Sequence, residues 1–370
     1  MGGGRLVIDL FGPPYEIGLK HGQALAPQIL SQLQIYRGIF ADTCKYDWPQ
    51  VLEVAEQFRA TIGRLAPDLL EEMRGIADGV GQSDVGLLDI VALNARSEIA
   101  LGQWDDGCTA LAWKLGTSGK QLLGQNWDWR ASVGENLALM SIRRVGKPTI
   151  WMVTEPGIVG KIGFNSSSVG VCLNAIRARP ISTDLLPIHL LLRTALECDS
   201  LDAAIATFET LGGAASSQHI LIADAHRARG LELSPRGGAY LREDADGLIV
   251  HTNHFLQNRL VDEPPWLSGS PFRLEKARAL CGEIVKEVGP VPLGDAVNAA
   301  LLRRRVFANT ENSPQAICCS PDPARGPLAK IETLFNIVMT FEDGKQPRAE
   351  VVFGRPGSGA ETRVVYNMPW

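Results

Sequence analysis

The sequence has no uninterrupted apolar stretch of the ~18 residues that a membrane-spanning helix needs. It also has no basic stripe interleaved with aromatic residues, and its net charge of −5 disfavours a surface for nucleic acid phosphates. Aromatic residues make up only 6% of the chain, whereas 45% of its residues are hydrophobic and 21% are charged. That balance is typical of a globular protein, and 370 residues permit one large domain or two. We therefore expect neither a nucleic acid nor a membrane among its partners.

The seven cysteines form no pattern that predicts a disulfide framework or a redox motif. They are odd in number and scattered, and no C-x-x-C pair occurs. No secretory signal is recognisable at the start, because Asp9 and the Pro13-Pro14 pair interrupt the apolar residues there. A myristoylation signal would need Ser or Thr at the sixth position, which is Leu6. These features predict a protein of the reducing cytoplasm.

The spacing of apolar residues changes near residue 108. From Pro13 to about Ala100 they recur at helical intervals, which predicts about four helices. Beyond that point a period of two predicts strands at 109–115, 121–129, 137–145, 149–154, 159–164, 170–176, 219–223, 230–233, 248–252, 332–341 and 348–354. Further helices are predicted at 187–198, 201–211, 271–288 and 293–303. This order favours an α+β fold in which helices pack over mainly antiparallel sheets.

The step Gly107-Cys108 lies where the period changes. Cysteine attacks as the thiolate, and a thiol with the ordinary pKa of ~8.5 needs a base near pH 7. If the chain cleaves itself at this step, Cys108 acquires an α-amine whose pKa of ~7.7–8.0 suits that base. Gly107 has no Cβ and leaves its carbonyl carbon open to the thiol. The alternative is that Cys108 is a small buried residue at the start of a strand.

The predicted maturation is an attack of the Cys108 thiol on the Gly107 carbonyl, an N-to-S acyl shift, and hydrolysis of the resulting thioester. In turnover the same thiol would attack an amide or thioester of a small molecule and pass the acyl group to water or to an amine. Hydrolysis of an N-acyl amide is the first choice, because water needs no acceptor site. Acyl transfer from a thioester is the second.

Other catalytic patterns receive less support from the sequence. His251 and His254 are three residues apart, but the strand-like residues before them predict that their side chains point to opposite faces, which disfavours a metal-dependent hydrolase. The chain has no G-x-S-x-G motif for a serine hydrolase. Trp127 and Trp129 alternate along a predicted strand, where they either belong to the core or line an apolar acyl pocket.

A series of short motifs follows one another along nearly the whole chain. They are PYEIGLKHG at 14–22, DGCT at 106–109, GQNWD at 124–128, TEPGIVGKIGFNS at 154–166, VCLNA at 171–175, GLELSP at 230–235, VHTNH at 250–254, TLFNI at 333–337 and GRP at 354–356. Together they resemble the acyl-coenzyme A:6-aminopenicillanate acyltransferase family, also called isopenicillin N acyltransferase-like or peptidase C45. That family belongs to the N-terminal-nucleophile hydrolases.

The resemblance implies a four-layer α-β-β-α sandwich with a helical N-terminal segment. It implies cleavage into a helical fragment 1–107 and a strand-rich catalytic fragment 108–370, which stay together as one folded unit. No metal or organic cofactor is implied. The expected partners are a small-molecule amide or acyl thioester and the protein's own cleaved fragment.

The resemblance also assigns roles to individual residues. Cys108 matches the family nucleophile, and Asp128 matches a carboxylate near the nucleophile's amine. Asn253 matches the oxyanion-hole asparagine, whose amide donates to the negatively charged oxygen that develops in the reaction. By a weaker analogy with choloylglycine hydrolases, Asn174 supplies a backbone N–H to the same hole, and a strand-end turn residue is the alternative.

The chain departs from the family pattern at two places. Where the penicillin acyltransferase reads Ile-Cys-Arg, this chain reads Ile317-Cys318-Cys319, so the family arginine is missing there. Arg304 and Arg305 are candidates to replace it in space. The second threonine of Cys-Thr-Thr is Ala110. Both changes disfavour the penicillin substrate itself, and an uncleaved, catalytically silent binding protein of the same fold is the alternative function.

Overall fold

The computed structural model describes residues 6–100, 107–116, 119–264, 269–289, 291–326, 329–357 and 364–370. Its helices are α1 (Pro14–Thr43), α2 (Trp48–Leu65), α3 (Pro67–Val80), α4 (Leu87–Asn94), α5 (Arg96–Ile99), α6 (Ile188–Leu196), α7 (Leu201–Thr210), α8 (Ser270–Val288), α9 (Leu293–Ala296) and α10 (Ala299–Leu302). Its strands are β1 (Leu6–Phe11), β2 (Thr109–Lys114), β3 (Lys120–Arg130), β4 (Ala138–Arg143), β5 (Ile150–Thr154), β6 (Ile162–Asn165), β7 (Gly170–Ala175), β8 (Gln218–Ala223), β9 (Ala228–Ser234), β10 (Gly237–Leu241), β11 (Leu248–His251), β12 (Ile331–Glu342), β13 (Arg348–Phe353) and β14 (Val365–Met368).

These strands form two sheets that face each other. One sheet has the order β1-β4-β5-β6-β7-β8-β9-β10, and the other has the order β11-β2-β3-β12-β13-β14. The β1–β4 pair is parallel, and the other strand pairs that the structure describes are antiparallel. β2 and β3 pack across the interior against β7 and β8. Both sheets therefore contribute side chains to a shared interior.

Helices cover the outer face of each sheet. α1 contacts β1, and α6 contacts β6 and β7, so these helices lie over the eight-stranded sheet. α8 contacts β11 and α10 contacts β12, so these helices lie over the six-stranded sheet. The result is an α-β-β-α sandwich, which confirms the predicted fold class.

The N-terminal helices pack closely because of local sequence features. α2 begins with a capping box, in which the Asp47 side chain accepts from the Gln50 N–H and the Gln50 side chain accepts from the Asp47 N–H. α1 and α3 approach backbone to backbone, and a methyl group on Gly18 would lie 1.9 Å from the Glu72 carbonyl oxygen. Glycine is needed there because any larger side chain would push the helices apart.

Several elements differ from the sequence-based expectation. The edge strands β1, β10 and β14 were not predicted, and β6 begins only at Ile162. The short α5 is a fifth helix before residue 100. The predicted helix 293–303 is two short helices, because the Asn298 side chain accepts from the Leu301 N–H and starts α10 anew.

The cysteines and the hydrophobicity of the helices can also be described from the structure. All seven cysteines are free thiols. Within the described ranges, every helix is too short or too polar to cross a bilayer.

Candidate active site

The predicted site residues meet in the interior between the two sheets. Cys108 directly precedes β2, and Asp128 lies on the adjacent strand β3. Asn174 comes from β7 of the facing sheet, and Asn253 follows β11. All four side chains are buried. Of the DGCT motif, Asp106 lies outside the described residues, whereas Gly107 lies within them.

The surroundings of the Cys108 thiol favour its protonated form. Burial, and then the negative charge of Asp128, raise its pKa to about 12. Its Sγ lies 3.9 Å from the backbone oxygen of Asp128, to which the thiol donates a weak hydrogen bond. Such a thiol is a poor nucleophile until a base lies within reach.

A buried threonine orients the Asp128 carboxylate. The Thr333 hydroxyl donates to Asp128 Oδ1 at 2.6 Å and accepts the backbone N–H of Cys319 at 3.0 Å. The β12–β3 register shifts between Thr333 and Phe335, so a bulge in β12 lies beside the site. The backbone N–H of Cys319 is thus linked to the Asp128 carboxylate through the Thr333 hydroxyl. Position 319 is where the resemblance implies an arginine.

A buried cation that hydrogen-bonds the nucleophile's own carbonyl group is Arg273, which the sequence analysis missed. Its Nη1 donates to the Cys108 carbonyl at 2.8 Å and to Thr109 Oγ1 at 3.2 Å. Its Nη2 donates to Asn253 Oδ1 at 3.0 Å. Arg305, one of the two candidates named from the sequence, instead pairs with Glu287 at the exposed surface.

A sequence signal for Arg273 exists in retrospect. The residue lies three positions after the first residue of α8, Ser270, near the positive end of the helix dipole. A cation there is unfavourable for the helix, so an arginine near the start of a predicted helix is a candidate for a role outside that helix, and the structure shows that it is buried. Motif matching did not find it because the surrounding residues belong to none of the recognised motifs.

The Asn253 amide packs directly on Gly107. A methyl group on Gly107 would lie 2.3 Å from Asn253 Nδ2 and 2.7 Å from its Cγ. Nδ2 donates to the Ala175 carbonyl at 2.9 Å, and the backbone N–H of Asn253 donates to Ser270 Oγ at 2.8 Å. Glycine at position 107 is therefore what lets the amide approach the peptide bond between residues 107 and 108.

The Asn174 side chain contacts the nucleophile's own carbonyl group. Its Nδ2 donates to the Cys108 carbonyl oxygen at 3.0 Å, and its Oδ1 lies 3.0 Å from His219 Nδ1. Asn174 lies within β7, so it is not a turn residue at the strand end. The Cys108 carbonyl is held from two sides, by Asn174 and by Arg273.

The two tryptophans of β3 belong to the core and also line the site. Their rings stack with centroids 5.9 Å apart. With Cys108 and Asn253 they border a small cavity of about 20 Å³, which has room for about one water molecule. The Lys161 ammonium lies 3.8 Å from the centre of the Trp127 ring.

A buried charge cluster joins this wall to the N-terminal helices. Glu155 accepts hydrogen bonds from Gln32, Tyr36, Arg96 and Lys161 at 2.6–2.7 Å. Burial alone would raise the pKa of Glu155, but the charges of Arg96 and Lys161 hold it well below its usual range. Three of the four donors lie before residue 100, so the cluster ties that segment to the site.

The histidines His251 and His254 have separate partners. His251 Nε2 lies 2.9 Å from Glu232 Oε1, and His254 Nδ1 lies 2.8 Å from Ser270 Oγ. Across the part of the chain that the structure describes, no three His, Cys, Asp or Glu side chains form a group able to hold a metal ion.

Comparisons with known proteins find relatives of this chain. A family model described as acyl-coenzyme A:6-aminopenicillanic acid acyl-transferase matches residues 115–288. The acyl-coenzyme A:6-aminopenicillanic-acid-acyltransferase 40 kDa form of Emericella nidulans is 32% identical over 376 residues, covering 97% of this chain and 96% of that protein. An uncharacterized protein of Archaeoglobus fulgidus is 26% identical over 199 residues, covering 47% of this chain and 33% of that protein.

Two solved structures are more distantly similar. An orthologue of N-acylethanolamine-hydrolyzing acid amidase from Caenorhabditis elegans has a TM-score of 0.42 and 16% identity, and the match covers 63% of this chain and 92% of that chain. Penicillin V acylase from Agrobacterium tumefaciens has a TM-score of 0.46 and 14% identity, and the match covers 70% of this chain and 85% of that chain.

Proposed function

Because this chain belongs to the acyl-coenzyme A:6-aminopenicillanic acid acyltransferase family, and is thus an amide hydrolase or N-acyltransferase of the N-terminal-nucleophile class, we propose that it first cleaves itself. The proposed cut lies between Gly107 and Cys108. The fragments 1–107 and 108–370 then act together, with Cys108 as the nucleophile. The substrate is a small-molecule amide or acyl thioester.

Self-cleavage forms one thioester and consumes one water molecule. The Cys108 sulfur bonds to the Gly107 carbonyl carbon, the peptide C–N bond breaks, and the nitrogen takes up the thiol proton. Water then hydrolyses the thioester, which leaves a carboxylate on Gly107 and restores the thiol. Asn253 donates to the negative oxygen that develops on the Gly107 carbonyl. Arg273 and Asn174 donate hydrogen bonds to the Cys108 carbonyl oxygen. These bonds fix the backbone position from which the thiol attacks.

Turnover uses the amine that cleavage releases. The α-amine accepts the thiol proton, and the thiolate attacks the acyl carbon of the substrate. Asp128, on the strand beside the one that Cys108 precedes, supplies a carboxylate that accepts hydrogen bonds from the resulting ammonium. The leaving amine or thiol takes that proton, and the acyl group remains on Cys108 as a thioester. Water, or an amine in the transfer reaction, then releases the acyl group.

One observation carries this proposal more than any other. The Asn253 amide lies against Gly107, and Arg273 links the same amide to the Cys108 carbonyl. A protein that only binds a ligand would have no need for an amide donor packed on the glycine that precedes a buried cysteine. We therefore favour the enzyme over the uncleaved binding protein.

The two proposed fragments have a physical reason to stay together. If the first fragment departed, Glu155 would lose its buried ion pair with Arg96 and the hydrogen bonds from Gln32 and Tyr36, and would keep only Lys161 as a partner within this cluster. Breaking a buried ion pair in this way typically costs about 3–5 kcal/mol. Because all seven cysteines are free, we also propose that the protein works in a reducing compartment such as the cytoplasm.

The test is the intact mass of the denatured protein. Wild type should give two fragments, the larger beginning at Cys108, and Cys108→Ala should stay whole. Cys281→Ala is the matched control, because Cys281 is a buried thiol on α8 and should leave cleavage unchanged. A single uncut wild-type chain would contradict the proposal. Product formation from N-acyl amides and acyl thioesters, with and without an amine acceptor, then separates hydrolysis from transfer.

A further inference from the structure

A buried network of polar side chains extends from Asn174. His219 Nδ1 lies 3.0 Å from Asn174 Oδ1. The His219 ring stacks on the His251 ring, with centroids 3.5 Å apart and planes inclined by 16°. His251 Nε2 in turn lies 2.9 Å from Glu232 Oε1. All of these side chains are completely buried, and the cleavage and turnover steps above use neither histidine.

The outer half of this network places an oxygen at each ring nitrogen of His251. Glu232 is ionised: burial would raise its pKa, but hydrogen bonds from His251 and from the backbone N–H groups of residues 256–258 lower it. His251 Nδ1 lies 2.8 Å from the Thr252 carbonyl oxygen. Each ring nitrogen therefore faces an oxygen to which a ring N–H can donate.

The inner histidine is held neutral. Burial, followed by the neighbouring charge of His251, lowers the pKa of His219 well below its usual value. Its Nε2 lies against Gly230 and has no hydrogen-bond partner among the described residues. A proton on Nε2 would therefore be a buried donor without an acceptor, which costs about 1–3 kcal/mol. The single ring proton of His219 belongs on Nδ1, where Asn174 Oδ1 accepts it.

This proton decides which way the Asn174 carboxamide faces. With Oδ1 accepting from His219, Nδ2 points at the Cys108 carbonyl and donates to it. If the amide were reversed, Oδ1 would face the Cys108 oxygen and Nδ2 would face the His219 N–H. Both contacts would then be repulsive. The network therefore permits one orientation of Asn174.

We propose that His219, stacked on His251 and hydrogen-bonded to Asn174, is a positioning residue for the reaction at Cys108 that locks the Asn174 amide onto the Cys108 carbonyl. The proposal rests on the function proposed above. His219 touches neither the thiol nor the bond to be cut. It acts through Asn174, whose amide in turn holds the carbonyl group of Cys108.

The first test compares two substitutions of His219. His219→Leu removes the donor, and kcat should fall about 10- to 100-fold, as for other supporting residues of a site. KM should stay unchanged, because substrate contacts are not altered. His219→Asn should recover most of kcat, since its amide nitrogen is the same number of bonds from Cα as Nδ1. Equal losses in both variants, or a wild-type kcat for His219→Leu, would overturn the proposal.

A matched control removes another buried histidine bond. His21 is completely buried, and its Nε2 accepts from the Gly157 N–H. His21→Leu should lower stability and leave kcat of the folded protein unchanged. A drop in kcat equal to that of His219→Leu would show a general effect of destabilisation and would overturn the proposal.

The second test does not depend on activity. A crystal structure of His219→Leu in the Cys108→Ala background should show the Asn174 amide rotated away from the carbonyl of residue 108, because the alanine keeps that carbonyl. An unmoved amide overturns the positioning role even if the enzyme is active. If wild type neither cleaves nor turns over, the proposed function fails, whereas this structural test still stands.

Discussion

Replacing Gly107 with alanine tests the contact on which the proposed cleavage depends. The added methyl group would lie 2.3 Å from Asn253 Nδ2 and 2.8 Å from Asn253 Oδ1. Carbon contacts normally lie at about 3.5–4.0 Å, so the amide must retreat by about 1 Å. That movement strains its hydrogen bonds to the Ala175 carbonyl and from Arg273.

The size of the effect follows from that displacement. A misplacement of about 1 Å in a catalytic group can cost about 10²-fold in rate. Complete loss of an oxyanion donor costs about 10²–10³-fold. We therefore expect Gly107→Ala to cleave at least about 10²-fold more slowly than wild type. The assay is a time course of intact mass after synthesis, in which the uncut chain should persist.

The control is another glycine-to-alanine change with no steric effect. Gly282 lies on α8, the helix that carries Arg273, and a methyl group there meets nothing within 4 Å. Gly282→Ala should mature at the wild-type rate. The fraction of Gly107→Ala that is eventually cut should turn over at nearly the wild-type rate, because residue 107 has then become a chain end. Cleavage of Gly107→Ala at the wild-type rate would refute the role of Asn253.

Three further predictions concern the residues around the nucleophile. Arg273→Met leaves the Cys108 carbonyl and Asn253 Oδ1 without their cation, and kcat/KM of the cut protein should fall about 10²-fold; an unchanged value would contradict its positioning role. Thr333→Val removes the hydroxyl that donates to Asp128 and should slow cleavage about tenfold in the intact-mass time course. Thr310 is exposed, so Thr310→Val is the control and should leave the cleavage rate unchanged. Glu155 has a lowered pKa when folded, so its ionisation stabilises the protein above its unfolded pKa of ~4.3 and this contribution is lost at lower pH. We would measure the free energy of unfolding in urea, with and without Glu155→Gln, in protein that carries Cys108→Ala and stays uncut. Glu155→Gln should lower this free energy by about 3–5 kcal/mol at pH 7 and should make it depend less on pH between pH 5 and 3. Parallel plots of the free energy of unfolding against pH for the two proteins would contradict this account.

Periodicity was a reliable guide to the buried elements and a weaker one to the sheet edges. β3 and β12 are long and mostly buried strands, and both were predicted close to their observed bounds. β10 contains two glycines, and β14 has only four residues and is followed by Pro369, so neither has a strong pattern. These strands form because a neighbouring strand offers hydrogen bonds, and that neighbour is chosen by the tertiary fold.

The sequence by itself determined the α+β class, the Gly107-Cys108 step and the candidates Asp128, Asn174 and Asn253, because motifs and periodicity are local. Only the tertiary structure decided that Arg273 is the cation at the site, since it reaches Cys108 across 165 residues of chain. The same holds for the bond between Asn174 and His219, which spans 45 residues. A local pattern cannot contain such contacts, because they arise only when two sheets and a covering helix pack together and exclude water between them.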